Sequence, residues 1–260
     1  MQQLSTPVIG GSAARLRTEG ARGRSYTWKG QRYDSVTTIL SRGVPDSWGM
    51  RQWRHRQIAT AAVEASATLH ADVQQLGPDA VIGALMQTPW AKRRDAASMG
   101  TTIHDLAESI ILGTPLPTIQ PAHQGYVDGF RRFLDDWHPE YLAVEAPVFS
   151  PAQGYAGTLD AIVVLDGMPC VLDYKTGASV YPEAGLQLAA YAMADFLGLP
   201  DGTEHELPVC DGLRVLHLHG EGHYRLVDAG DIDDCYAQFL QVKAIAAWLA
   251  QHDQPLSVWK

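Results

Sequence analysis

Residues 157–191 read GTLDAIVVLDGMPCVLDYKTGASVYPEAGLQLAAY and set Asp160, Asp173 and Lys175 among Ile162, Val163, Val164, Val171 and Leu172. Short apolar runs rich in Val and Leu, bounded by Gly and Pro, are the pattern of buried strands. A buried charge without a partner is costly, so such residues are paired, hydrogen-bonded or bound to metal. Alternate side chains of a strand share a face, which puts Asp173 beside Lys175 and turns Tyr174 the other way. Asp160 reads as the start of the preceding strand, and the DGMP turn folds the two strands into antiparallel neighbours. One register of that pairing places Asp160 against Asp173, where two carboxylates repel unless a cation lies between them.

Oxygen donors of this kind suit Mg²⁺ or Mn²⁺, hard cations that keep water and contact phosphate. A lysine beside such an ion can assist an attacking water or stabilise charge on phosphate, the chemistry of metal-assisted phosphodiester hydrolysis. The three-residue DxK pattern taken alone reads more often as an ion pair at a strand end. Further along, Gln187 and Tyr191 are four apart on a helix and reach toward one ligand. Upstream, GTTIHDLAESI places His104 on a helix beside Gly100, whose missing side chain leaves room for another backbone.

Working outward, RSYTWKGQRY at 24–33 predicts a hairpin, and Ser35 predicts the N-cap of a short helix over VTTILS. Residues 46–112 are rich in Ala, Leu, Arg and Gln, and Gly77-Pro78 and Thr88-Pro89 predict breaks between separate helices. AHQGYVDGFRRFLDDWH carries apolar residues at helical spacing, and YLAVEAPVFS, YAGTLDAIVVL and PCVLDYK read as strands of one meandering sheet. EAGLQLAAYAMADFLG returns to helix, LRVLHLHG and HYRLVD are strands, and IDDCYAQFLQVKAIAAWLAQ closes the chain as an amphipathic helix. The fold class expected is α/β (α+β), a central mixed sheet flanked by helices with a mainly helical N-terminal half. A single domain over 1–260 is expected, with a hairpin and helices in 1–90 and the catalytic core in 91–260.

The 260 residues, 46% of them hydrophobic, suffice for one large core. No apolar run approaches the roughly 18 residues of a membrane span, and MQQLSTPVIGGSAARL lacks the apolar centre of a signal peptide. A cytoplasmic location follows as the expectation. Cys170, Cys210 and Cys235 are odd in number and far apart, which suits reduced thiols. HLHGEGH at 217–223 is a weak zinc pattern: its HLH spacing suits one face of a strand, and no further Cys or His pair completes a site.

The net charge of −9 conceals an asymmetry: residues 1–132 sum to +5 and residues 133–260 to −14. Basic residues cluster in RTEGARGR, at Arg51, Arg54 and Arg56, at Lys92, Arg93 and Arg94, and at Arg131 and Arg132. A basic half beside an acidic half keeps nucleic acid open as a partner.

The ordered series G-T-x-x-H at 100–104, Glu145 on a strand before Pro147, G-T-x-D at 157–160, D-Y-K at 173–175 and Q-x-x-x-Y at 187–191 resembles the PD-(D/E)xK nucleases, in the RecB-like and phage-encoded exonuclease branch. The resemblance spans roughly residues 90–195 and implies a restriction-endonuclease-like core. It implies that Asp160, Asp173, His104 and the Tyr174 carbonyl bind Mg²⁺ or Mn²⁺, with Glu145 at a second metal or supporting the site. Lys175 would act with Asp160 and Asp173 in catalysis. Gln187 and Tyr191 would orient the DNA strand, with Arg51, Arg54, Arg56, Lys92, Arg93 and Arg94 lining its path and Trp48 and Trp53 available to stack on bases. Several relatives hold an iron-sulfur cluster on four cysteines; three scattered cysteines cannot, so none is expected.

The function expected is a metal-dependent DNA exonuclease of phage-type recombination or DNA processing, with a single-strand annealing or recombination protein as partner and a homo-oligomer allowed. Two rivals stand beside it: a non-catalytic nucleic-acid-binding or assembly module of the same fold, and a glycosidase using Glu145 and Asp160 as acid and base. The glycosidase leaves Lys175, Gln187 and Tyr191 without roles.

Overall fold

The computed structural model describes residues 9–10, 16–20, 23–46 and 48–252. The N-terminal stretch 1–8, residues 21–22 of the RTEGARGR cluster and the side chain of Trp48 lie outside that description. In chain order the elements are β1 (Ile9–Gly10), β2 (Arg17–Gly20), β3 (Gly23–Trp28), β4 (Gln31–Ser35), α1 (Val36–Gly43), α2 (Trp48–Glu64), α3 (Leu69–Leu76), α4 (Pro78–Leu112), α5 (Pro121–Trp137), β5 (Glu140–Ser150), β6 (Tyr155–Leu165), β7 (Met168–Lys175), α6 (Glu183–Ala192), β8 (Phe196–Gly198), β9 (Glu204–His205), β10 (Gly212–Leu218), β11 (Tyr224–Asp228) and α7 (Ile232–Gln251). They form two compact units, Met1–Val44 with Ile103–Lys260, and Pro45–Thr102.

The first unit is a mixed α/β structure around one sheet, in which β5, β6 and β7 run antiparallel and β7 pairs in parallel with β10 through the α6 crossover. Asp166 at φ 48° and Gly167 at φ 81° make the tight turn between β6 and β7, where both central residues need positive φ. Lys29 at φ 46° and Gly30 at φ 82° do the same between β3 and β4. The second hairpin is not an appendage, because β4 pairs in parallel with β6 at Asp34↔Tyr155 and Ser35↔Ala156. Helices α1, α6 and α7 cover one face over a core that includes Leu159, Ile162, Val171, Leu188, Val215 and Phe239. Helix α5 lies on β10 and β11, where Phe133 meets Tyr224 edge to face, and its Phe130 meets Tyr174 of β7 in the same way.

Three local expectations change. Pro89 lies inside α4 instead of ending a helix; a proline removes one backbone bond, and the strong helix formers Ala91, Lys92, Arg93 and Arg94 carry the helix on. Residues 196–198 leave α6 and form β8 against β5. Phe196 there joins Trp28 and Phe149, and burial of that aromatic cluster overrides helical spacing. Asp160 is the sixth residue of β6, in mid-strand, and not its start.

The second unit holds α2, α3 and the first part of α4. Within it Arg54 pairs with Asp46 and lies 5.5 Å from the centre of the Trp90 ring, and Lys92 donates to Gln57 at 2.6 Å.

Ser35 caps α1 as expected, its buried hydroxyl accepting from the Thr38 N–H at 3.0 Å. Thr38 in turn ties α1 to β3, accepting from Arg24 N at 2.8 Å and donating to the Arg24 carbonyl at 2.9 Å. Ser35→Ala is expected to lower unfolding free energy by about 1–2 kcal/mol, measured by urea denaturation; an unchanged midpoint would show that this cap contributes nothing.

Candidate metal centre

The pairing of β6 leaves a gap along one edge. On that side β4 is paired as far as Ala156 and β7 begins at Ala161, so residues 157–160 face no ladder partner among the described residues. The Asp160 carboxylate fills part of the opening by accepting from the Tyr174 N–H at 2.7 Å through Oδ2. A side chain therefore closes the gap where the backbone ladder stops. Tyr26 and Thr158 meet there through their hydroxyls at 2.8 Å, and the Tyr191 ring packs against Gly157, where a Cβ would stand 2.3 Å from the ring.

His104 enters from α4. Its Nδ1 lies 3.4 Å from Asp160 Oδ1 and 3.6 Å from Glu145 Oε1, and its Nε2 lies 3.0 Å from the Tyr174 carbonyl. Single donor atoms of His104, Glu145 and Asp160 all fall within 4.8 Å of one another. Glu145 sits in β5 opposite Asp160 and adopts φ 45°, a left-handed conformation that an L residue with a long side chain rarely takes. Such strain, about 1–2 kcal/mol, persists only where surrounding structure imposes it. Here it accompanies a carboxylate aimed at the imidazole.

Beside this cluster, Lys175 Nζ contacts both oxygens of Asp173, at 2.9 and 2.7 Å, and Gln187 Nε2 donates to Asp173 Oδ1 at 3.0 Å. The structure thus divides the residues chosen from the sequence. His104, Glu145 and Asp160 converge at one imidazole nitrogen, the Tyr174 carbonyl meets the other, and Asp173 is held by Lys175 and Gln187. Gln187 orients Asp173, and Tyr191 is buried against Gly157. Tyr26 and Thr158 escaped the sequence reading; the aromatic residue inside the hairpin was a signal only for strand packing.

Burial by itself would lower the His104 pKa, but Asp160 and then Glu145 overcome it and raise the imidazole to about 11. Asp160 is pushed up by burial yet pulled down further by His104, Lys175 and the Tyr174 N–H, and ends below the usual carboxylate range. Burial raises Glu145 against the pull of His104. Lys175 is lowered by burial and raised more strongly by Asp173 and Asp160, so it stays an ammonium. The donor set fits a divalent ion on two grounds. Glu145 Oε1 is buried without a hydrogen bond among the described residues, and a histidine with two carboxylates is a set that hard and borderline cations accept.

The basic residues proposed for DNA all lie in the Pro45–Thr102 unit. Arg51 is tied to the Asp46 carbonyl, Arg54 to the Asp46 carboxylate and Lys92 to Gln57. Arg56, Arg93 and Arg94 are exposed, and Trp53 is partly so. No family model and no curated protein matches the chain. Among the described residues no helix is long and apolar enough to cross a membrane.

The raised His104 value predicts a titration. Its folded value lies above the roughly 6.5 of a free histidine. The stability it lends is therefore complete below about pH 6.5 and is lost as pH rises toward 11. In chelator, the His104 ring nitrogens should keep imidazolium NMR shifts through about pH 8, and Asp160→Asn should bring the midpoint down. A wild-type midpoint near 6.5 would overturn the electrostatic account.

Proposed function

We propose that the chain is a divalent-metal-dependent nuclease of the PD-(D/E)xK type that hydrolyses phosphodiester bonds in DNA, with exonucleolytic action in phage-type recombination or DNA processing. The observation that carries the reading is the convergence of His104, Glu145 and Asp160, from α4, β5 and β6, beside the ion pair of Asp173 and Lys175. Mg²⁺ or Mn²⁺ held by His104, Glu145 and Asp160, with Asp173 adjacent, would supply Lewis-acid polarisation of a phosphoryl oxygen and acidify the attacking water.

The remaining work falls to the protein's own groups. Lys175, kept protonated by Asp173 and Asp160, places a fixed positive charge where negative charge develops on a phosphate. Gln187 holds Asp173 in register with that lysine, and Tyr191 keeps the gap in β6 packed from below. Exposed Arg56, Arg93 and Arg94 offer sequence-independent phosphate contacts, with Trp53 available to a base. The glycosidase alternative fits less well. Glu145 and Asp160 close on one imidazole nitrogen, as in a cation cage, instead of flanking a bond to be split.

The deciding assay offers end-labelled linear duplex, single strand and closed circular DNA to the purified protein, with Mg²⁺, with Mn²⁺ and with EDTA. Metal-dependent digestion of linear DNA is expected, and Lys175→Ala should lower its rate by about 10²-fold or more while the circular dichroism spectrum stays native. A folded wild-type protein that binds DNA but cuts none of these substrates would replace the nuclease with the binding-module reading.

Phosphate contacts make a second expectation. Affinity for DNA should fall steeply with salt, and neutralising Arg56, Arg93 and Arg94 together should reduce the slope of log affinity against log salt by roughly 2–3. An unchanged slope in a fluorescence-anisotropy titration would remove those residues from the DNA path.

A further inference from the structure

The turn between β10 and β11 brings together three ligating side chains that the proposed nuclease chemistry does not use. It reads His219-Gly220-Glu221-Gly222-His223, and single donor atoms of His219, Glu221 and His223 lie within 4.8 Å of one another. The sequence pattern alone offered no completed set, because His217 and His219 share a strand face and His223 belongs to the next strand's approach. The tight turn supplies what was missing by folding His223 back over His219. Their rings stack with centroids 4.2 Å apart and planes 15° from parallel. His219 N donates to the His223 carbonyl at 3.0 Å, and Gly222 N to the His219 carbonyl at 3.1 Å.

The turn is held from outside as well. Helix α5 lies so close that a Cβ on Gly125 would stand 1.6 Å from the Gly220 carbonyl oxygen, and one on Gly129 would stand 2.9 Å from that of His223. Two glycines one helical turn apart therefore let the helix backbone rest directly on the loop backbone, fixing where the ligands start. His217 flanks the cluster, its ring 4.2 Å from that of His219, and donates from Nε2 to the Gly177 carbonyl at 2.6 Å. Meanwhile His219 Nε2 is buried and has no hydrogen-bond partner among the described residues.

We propose that His219, Glu221 and His223 form a second metal site, selective for a borderline divalent ion of the zinc class. Two imidazoles and one carboxylate are the three protein ligands of many open zinc sites, and they discriminate against Mg²⁺, which prefers oxygen. Tetrahedral ligation at about 2.1 Å sets donors about 3.4 Å apart. The present spread thus needs only side-chain rotation, for which Glu221 and His223 are exposed. The bound ion would stiffen the turn that adjoins His217, whose Cα partner in the parallel ladder is Lys175. The site is independent of the nuclease reading, since none of its ligands belongs to the His104 cluster.

The test is calorimetric titration of chelator-stripped full-length protein with Zn²⁺ alone, for wild type, His223→Ala, Glu221→Gln and His104→Ala. Both hairpin substitutions fall at exposed positions, and circular dichroism verifies that each variant is folded. Wild type and His104→Ala are expected to share one equivalent of Zn²⁺ that His223→Ala weakens by at least about tenfold, with Glu221→Gln weakening it less. X-ray absorption of the His104→Ala complex should show imidazole nitrogens at about 2.0–2.1 Å. Should His223→Ala and Glu221→Gln bind Zn²⁺ with wild-type stoichiometry and affinity, or should His104→Ala alone abolish binding, the hairpin site is wrong.

Discussion

The carboxylate of Asp160 is the constraint on which the site is built. It sits in the middle of an otherwise apolar strand, at the point where β6 loses its backbone partners on one side, and it takes the Tyr174 N–H with one oxygen and faces His104 with the other. Burying a carboxylate is tolerable only when its lone pairs are used. Both neighbouring elements are therefore tied to it, β7 through its backbone and α4 through an imidazole. Removing that charge would leave an imidazolium and an amide proton without their partner, so the local fold and the chemistry share one group.

A second charged unit lies alongside and is arranged differently. Asp173 and Lys175 share a face of β7, and Gln187 reaches down from α6 to the same carboxylate oxygen, Oδ1, that takes the lysine's hydrogen bond. Tyr174 turns to the opposite face and packs against Phe130 of α5. The alternation of a single strand thus assigns one face to chemistry and the other to packing. Glu145 carries the clearest strain: its left-handed backbone trades stability for the direction of one carboxylate.

Local signals were readable where they depend on few neighbours. The Asp166-Gly167 and Lys29-Gly30 turns, the Ser35 cap and the full extent of α7 all follow from propensity, capping and periodicity, which act within one or two turns of chain. Reading failed where a distant partner decided. Pro89 signalled a break that the surrounding helix formers override, and Phe-Leu-Gly after α6 continued an apolar pattern until burial with Trp28 and Phe149 made it a strand. The HLHGEGH segment showed its histidines but not their approach, because that depends on a turn clamped by two glycines of α5.

By itself, then, the sequence determined the strands β5, β6 and β7, the facing of Asp173 with Lys175 and away from Tyr174, and the set of residues able to hold a cation. Alternation and turn chemistry are properties of adjacent residues and need no tertiary information. Only the tertiary structure decided which donors meet. His104 comes from α4, separated by α5 from the β5–β6 pair that carries Glu145 and Asp160, and their convergence depends on helix packing, on sheet register, on the gap between β4 and β7 along β6, and on the left-handed backbone at Glu145. Those are long-range packing outcomes, fixed by how the whole core is buried and not by any stretch of residues read alone.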